Sequence, residues 1–130
     1  MLDTNIVGKA VRERPRILLG QIAKRSPSEI CVSAISYGES TFGLRRRPEA
    51  TGLASATEKF FAEVQILPFT IETAESYGIL RAQMEKAGKP LGPLDMLIAA
   101  HALSVGATLV SNDRAFRMVP DLHIEDWTQA

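Results

Sequence analysis

Short β-branched runs alternate along this chain with longer stretches whose apolar residues recur every three or four positions. Glu29-Ile30-Cys31-Val32-Ser33, Val64-Gln65-Ile66-Leu67, Ala107-Thr108-Leu109-Val110-Ser111 and Leu122-His123-Ile124-Glu125 read as strands, the second ending at Pro68. Ile71 to Ala87 places Ala74, Tyr77, Leu80 and Met84 at helical spacing and stops at Gly88. Leu94 to Val105 follows a proline and ends before Gly106, the start and stop signals of a second helix. Another is expected to start near Ser36. Strands that alternate with helices build βαβ units, which predicts an α/β fold with a mainly parallel sheet between helical layers. No repeat, low-complexity stretch or Gly/Ser linker interrupts the pattern, so residues 1–130 are read as one domain.

The start of the chain is unusual. Met1-Leu2 followed by Asp3-Thr4-Asn5 has the form of a strand end turning into a helix, but it is too short for an average strand. Either the first strand is a stub or the natural chain begins further upstream.

Composition narrows the functional classes. Hydrophobic residues make up 45% and charged residues 23%, enough for a core and incompatible with a disordered tail. No apolar run approaches the ~20 residues that span a bilayer, and no basic-then-apolar leader opens the chain. A cytoplasmic domain without membrane attachment is expected. Cys31 stands alone, which excludes an internal disulfide framework and a Cys-rich zinc site; it is expected in the core, mid-strand. His101 and His123 are too far apart for a helical zinc pair, and His101 is expected to have a packing or hydrogen-bonding role. Net charge is zero, although residues 1–65 hold ten basic against seven acidic residues and residues 66–130 hold five against eight. A broad basic face for duplex nucleic acid is therefore not expected. Arg45-Arg46-Arg47 is the densest basic run, either a solvated helix end favoured by the dipole or a phosphate contact. Gly88-Lys89 lacks both the following Ser/Thr and the preceding strand of a phosphate loop. Trp127 is expected to seal the sheet edge.

In open α/β sheets, ligands bind beyond the carboxyl ends of the strands. Four acids fall there: Asp3 after the N-terminal stub, Glu39 just after the strand over 30–34 and in the first turn of the helix starting near Ser36, Asp95 opening a helix, and Asp113 after the third strand. Each also has a local explanation. Ser36 and Glu39 have the spacing of a capping box, Asp95 suits the dipole of a first helical turn, and Asp3 and Asp113 could each cap the element that follows. If the four converge, their mutual repulsion calls for a cation. Oxygen ligands without His or Cys suit Mg²⁺ or Mn²⁺, whose chemistry on a phosphate is assisted hydrolysis.

Met1-Leu2-Asp3-Thr4-Asn5 resembles the opening motif of PIN-domain ribonucleases, specifically the VapC toxins of bacterial toxin–antitoxin pairs. Ile35-Ser36-Tyr37-Gly38-Glu39 with Phe42-Gly43 continues the likeness. Gly92-Pro93-Leu94-Asp95-Met96-Leu97-Ile98-Ala99-Ala100-His101-Ala102, Leu109-Val110-Ser111-Asn112-Asp113-Arg114-Ala115-Phe116, Val119-Pro120-Asp121-Leu122 and Glu125-Asp126-Trp127 complete it in family order across the chain. The usual family pattern has a few more residues before the first Asp. The resemblance implies a PIN-like α/β/α sandwich and an acidic pocket that binds Mg²⁺ or Mn²⁺ and hydrolyses RNA with a metal-activated water. Carried over by position, Asp3, Glu39, Asp95 and Asp113 match the acidic set. Asp3 and Asp95 are then the metal ligands, Glu39 orients the attacking water and Asp113 closes the far side. Thr4 and Asn5 match positions whose hydroxyl or amide would fix the Asp3 carboxylate, and Asn112 rivals Asp113. The resemblance further implies a VapB-type antitoxin whose tail covers the acidic groove, a toxin homodimer, and a larger complex that meets promoter DNA only through the antitoxin. The RNA is expected to enter as a single-stranded loop. The alternative is a catalytically inactive PIN-like module that only binds protein or RNA.

Overall fold

Leu2 joins the sheet. In the computed structural model, which describes residues 1–130, this one residue bridges Val32 on one side and Val110 on the other, both in parallel. Four backbone hydrogen bonds or terminal contacts hold the stub: Leu2 N–H to Cys31 O (2.9 Å), Asp3 N–H to Val110 O (3.1 Å), Val110 N–H to Met1 O (2.8 Å), and the N-terminal ammonium to Thr108 O (2.7 Å). Short as it is, the segment sits at the centre of the sheet. On one side lie β1 (Cys31–Ser33) and β2 (Gln65–Leu67), and on the other β3 (Leu109–Val110) and β4 (Ile124–Glu125). The spatial order is β2, β1, Leu2, β3, β4, with every pairing parallel. The strands are shorter than the sequence suggests: Glu29 belongs to a 3₁₀ turn over Pro27–Glu29, and residues 107 and 108 precede β3.

The helices are α1 (Thr4–Gly8), α2 (Arg16–Ala23), α3 (Ala34–Arg45), α4 (Thr51–Glu63), α5 (Ile71–Lys86) and α6 (Pro93–Ser104), with a π-helical turn over Lys9–Glu13 and a 3₁₀ turn over Arg114–Met118. Successive strand residues point to opposite faces, and the two cores follow that alternation. Met1 and Leu109 pack with Leu80 and Met84 of α5 and Met96 and Ile98 of α6. Leu2, Val32 and Val110 pack with Ile6 and Val7 of α1, Leu18 of α2 and Phe61 of α4. The result is an α/β/α sandwich.

Helix ends follow the sequence signals with one correction. Gly88 (φ 67°) and Gly106 (φ 65°) adopt the left-handed conformation that terminates α5 and α6, and Ala107 N–H then reaches the Ala102 carbonyl at 2.9 Å. The correction is at α3. Ser36 and Glu39 do not form a capping box: the helix starts at Ala34, directly after β1, and Ser33 is its cap, accepting the Ile35 N–H at 3.1 Å. Glu39 therefore sits in the second turn, free of capping duty. Cys31 opens β1, half-buried against the core, rather than lying mid-strand. Trp127 is buried after the edge strand β4. Its Nε1–H donates to Glu125 (2.9 Å) and the Arg25 guanidinium lies 4.0 Å from its ring centroid. No helix is long and apolar enough to cross a membrane.

Candidate active site

The central segment and its two neighbours end at the same edge of the sheet, and that edge carries the acids. The chain passes from Leu2 to β1 on one side and later crosses to β3 on the other, so a crevice opens between the connections. Asp3 leaves the central segment with only 3% of its surface exposed. It caps α1, its Oδ1 accepting the Ile6 N–H at 2.8 Å. Asp113 follows β3 and caps the 3₁₀ turn, its Oδ1 accepting the Ala115 N–H at 2.9 Å. Ser111 is buried and its hydroxyl accepts the Asp113 N–H at 3.0 Å, fixing the loop. Asp95 lies in the first turn of α6, half-buried, behind Pro93.

Glu39 is held from α1. Thr4 Oγ1 donates to Glu39 Oε1 at 2.7 Å and lies 3.0 Å from the Ser36 hydroxyl, which is fully buried. A threonine hydroxyl has one proton, so the carboxylate receives it and Ser36 can donate in turn to Thr4. Thr4 thus braces Glu39 and not Asp3, contrary to its expected place. Asn5 is exposed, with no hydrogen bond from its side chain to Asp3. Asn112 is exposed as well, whereas its neighbour Asp113 is half-buried.

The electrostatics tie the four acids together. Burial pushes the Asp3 carboxyl above the usual carboxylate range; hydrogen bonds from Ser111 and Ile6 oppose the shift, and the charges of Asp95 and Asp113 add to it. Asp95 is raised for the same leading reason, then by Asp113 and Glu39. No Lys or Arg forms an ion pair with any of the four; the carboxylates with cationic partners are Glu13, Glu85 and Glu125, elsewhere. The site is a concentration of negative charge without a protein counter-ion. It is not a finished metal cage, since no three His, Cys, Asp or Glu side chains converge closely enough to form one. Part of the reason is local: one oxygen each of Asp3 and Asp113 is turned to its own helix cap, and one of Glu39 to Thr4. An all-oxygen donor set with unbalanced negative charge fits a hard divalent cation that keeps several of its waters.

A PIN domain family model matches residues 1–122. The chain belongs to the PIN-domain family. Within it, the chain is similar to VapC proteins: it is 35% identical over 128 residues to "Ribonuclease VapC2" of Haemophilus influenzae, covering 98% of this chain and 96% of that protein. It is 30% identical, over the same shares, to the "tRNA(fMet)-specific endonuclease VapC" of Salmonella typhimurium. Among solved structures it is similar to the toxin–antitoxin complex VapBC of Salmonella typhimurium bound to DNA (TM-score 0.92, 30% identity, 98% of this chain and 96% of that one). It is also similar to VapBC2 of Rickettsia felis bound to a fragment of promoter DNA (TM-score 0.89, 32% identity, 98% and 97%). The chain is a VapC-type PIN-domain protein, and its sandwich is the PIN fold.

Local spacing missed the parts that Ser33, Ser36 and Ser111 play in this PIN site, while His101 has the packing and hydrogen-bonding role expected of it. Ser33 caps α3 and its hydroxyl lies 2.7 Å from Nδ1 of His101, joining the helix of Glu39 to the helix of Asp95. His101 is fully buried, packs edge-on against Phe69 at 5.4 Å and leaves Nε2 without a partner. Burial lowers its pKa, with the Pro68 backbone opposing, so the ring is neutral and structural. Ser36 and Ser111 are buried hydroxyls at the mouths of strands, where a polar residue in an apolar run was the available signal.

Proposed function

We propose that the chain is a Mg²⁺- or Mn²⁺-dependent endoribonuclease and the toxin of a VapBC-type toxin–antitoxin pair, acting on RNA in the cytoplasm. The observation that carries this is the set of four carboxylates at one sheet edge, two of them raised by burial and by neighbouring carboxylates of the set, with no basic side chain paired to any. A fold that gathers such charge without neutralising it gives up stability, and a bound cation returns it. Asp3 and Asp95 would hold the ion. The ion supplies Lewis acidity, lowering the pKa of water and offsetting charge that develops on a phosphate.

The chain's own residues position the rest. Glu39, held by Thr4, is the carboxylate placed to orient a water and take its proton, and Asp113 closes the opposite side of the crevice. Burial of Asp3 among fixed hydrogen bonds orients its second oxygen before any ion arrives. No His, Ser or Lys nucleophile is required, and His101 is sealed in the core. The VapBC complexes among the similar structures support a VapB-type antitoxin as partner in a hetero-oligomer that meets promoter DNA; a toxin dimer, with the DNA reached through the antitoxin, completes the reading. The relative named for tRNA(fMet) supports a structured RNA cut at an exposed single-stranded stretch.

The test is cleavage of total RNA with Mg²⁺ or Mn²⁺, with EDTA, and by Asp95→Asn. Cleavage should require the added metal, stop with EDTA and fall by at least ~10²-fold in the variant. Cutting that survives both chelation and Asp95→Asn would refute the proposal.

A further inference from the structure

We propose that a cleft beside the acidic crevice, lined by Arg12, Arg46 and Arg47, binds the phosphate backbone of single-stranded RNA and leads it to the site. This rests on the ribonuclease proposal for its substrate, but its own basis is different. The cleft has a volume of about 510 Å³ and lies between α1, the π-helical turn, the C-terminal half of α3 and the first turns of α4. One part of its wall is Thr4, Asn5 and Glu39, so the cleft and the acidic edge share residues. The wall holds three arginines against the single carboxylate of Glu39, on a chain whose net charge is zero.

All three guanidinium groups are available. None pairs with a protein carboxylate, and all three residues are exposed. Two are held by something other than charge. Arg12 lies back against Gly8, so closely that a Cβ there would stand 2.5 Å from its Nη2. Arg46 lies over the Phe42 ring, 5.5 Å from its centroid, and Phe42 is itself 63% exposed. Planar donors without internal acceptors, arrayed along a groove, suit successive phosphates. The exposed Phe42 ring under Arg46 adds a face on which a base can stack. The repulsive carboxylates then mark where the backbone must stop being bound by protein charge alone, and the adjacent arginines supply the attraction that a polyanion needs to approach them.

The test is binding of a fluorescein-labelled 12-nucleotide oligouridylate in EDTA across a KCl series, with hexaglutamate as a second probe. The variants are the triple Arg12→Gln/Arg46→Gln/Arg47→Gln and, separately, Gly8→Ala. Each lost phosphate contact removes about 0.7 from the slope of log affinity on log salt for single strands, so the triple variant should lose about 2. In metal-dependent cleavage its KM should rise about tenfold with kcat within about threefold. Gly8→Ala only displaces the flexible end of Arg12 and should lose about one contact while melting no lower. An unchanged oligouridylate slope in the triple variant overturns the proposal. So does hexaglutamate binding that is lost in the triple variant while the oligouridylate slope stays, which would make the cleft a site for an acidic peptide. If wild type cuts no RNA but the slope behaves as expected, the cleft stands and the ribonuclease proposal falls.

Discussion

Replacing Asp3 by Asn should make the protein more stable and inactive. The amide is isosteric, and Asn caps a helix as well as Asp, so the bond from Ile6 N–H survives. What disappears is a buried negative charge. Desolvating a carboxylate costs several kcal/mol even after relaxation. Hydrogen bonds to the charged form, here from Ile6 and Ser111, return about 1.5–3 kcal/mol each. Repulsion from Asp95 and Asp113 adds at most about 1 kcal/mol apiece where water screens it. The raised pKa of Asp3 means that the unfavourable side wins, and a net gain of about 1–3 kcal/mol follows for Asp3→Asn. For 130 residues that is roughly 4–11 °C in Tm.

The pH dependence separates this explanation from better packing. A carboxyl whose folded pKa lies above its unfolded value does no harm below the unfolded pKa, about 3.9. Its cost appears as pH rises through the folded value. Melting followed by circular dichroism in EDTA should therefore show the full gain at pH 7.5 and almost none near pH 3.5. Added Mg²⁺ should raise the Tm of wild type more than that of the variant. A variant that melts below wild type at pH 7.5, or a gain that persists unchanged in acid, would refute the argument.

Three other substitutions test the supports. Thr4→Val removes the proton given to Glu39 and should cost about 1–2 kcal/mol in urea unfolding and about tenfold in RNA cleavage; Thr4→Ser should restore most of both. Leu2→Ala, at a fully buried residue that joins both halves of the sheet, should cost about 3–5 kcal/mol by the same unfolding assay, because the clamped backbone leaves little room to close the cavity. His101→Gln tests a proton linkage. The lowered folded pKa of His101 makes wild type lose stability as pH falls below about 6.5, by up to about 1.4 kcal/mol per unit, and the difference between wild type and variant read across pH 7.5 to 5 should carry that slope.

What was legible in the sequence depended on range. The helices over residues 71–86 and 93–104 show their period and their stops within one short window, because the forces that end them act locally at Gly88 and Gly106. The positions of Asp3 and Asp113 were also legible, since a carboxylate just beyond a short apolar run that ends a strand is a local pattern, whereas Glu39 and Asp95 lie inside helices. The capping box at Ser36 and Glu39 was a false local signal. It has the right spacing, but the strand runs straight into the helix and Ser33 takes the cap first. Leu2 offered no period at all. One residue becomes the centre of the sheet only because β1 and β3, far along the chain, close on it from both sides.

The same distinction explains the site. The resemblance assigns Thr4 to Asp3, but its hydroxyl is spent on Glu39, 35 residues away, because α1 and α3 emerge side by side from neighbouring strands. His101 and Ser33, 68 residues apart, are joined in the same way. Capping and the proposed catalytic role are also not rival uses of Asp3 and Asp113. A carboxylate has two oxygens: in each, Oδ1 locks the side chain to its helix, which leaves Oδ2 for another partner. The cap bond fixes the direction of a group that repulsion would otherwise turn outward. This predicts that Asp113→Asn, which can keep the cap, will hold the fold yet lose cleavage. Asp113→Ala should lose both, about 1 kcal/mol of stability with the cap and the activity with the charge, measured by urea unfolding and RNA cleavage side by side. Equal activity in Asp113→Asn and wild type would remove Asp113 from the acidic set and leave it a cap alone.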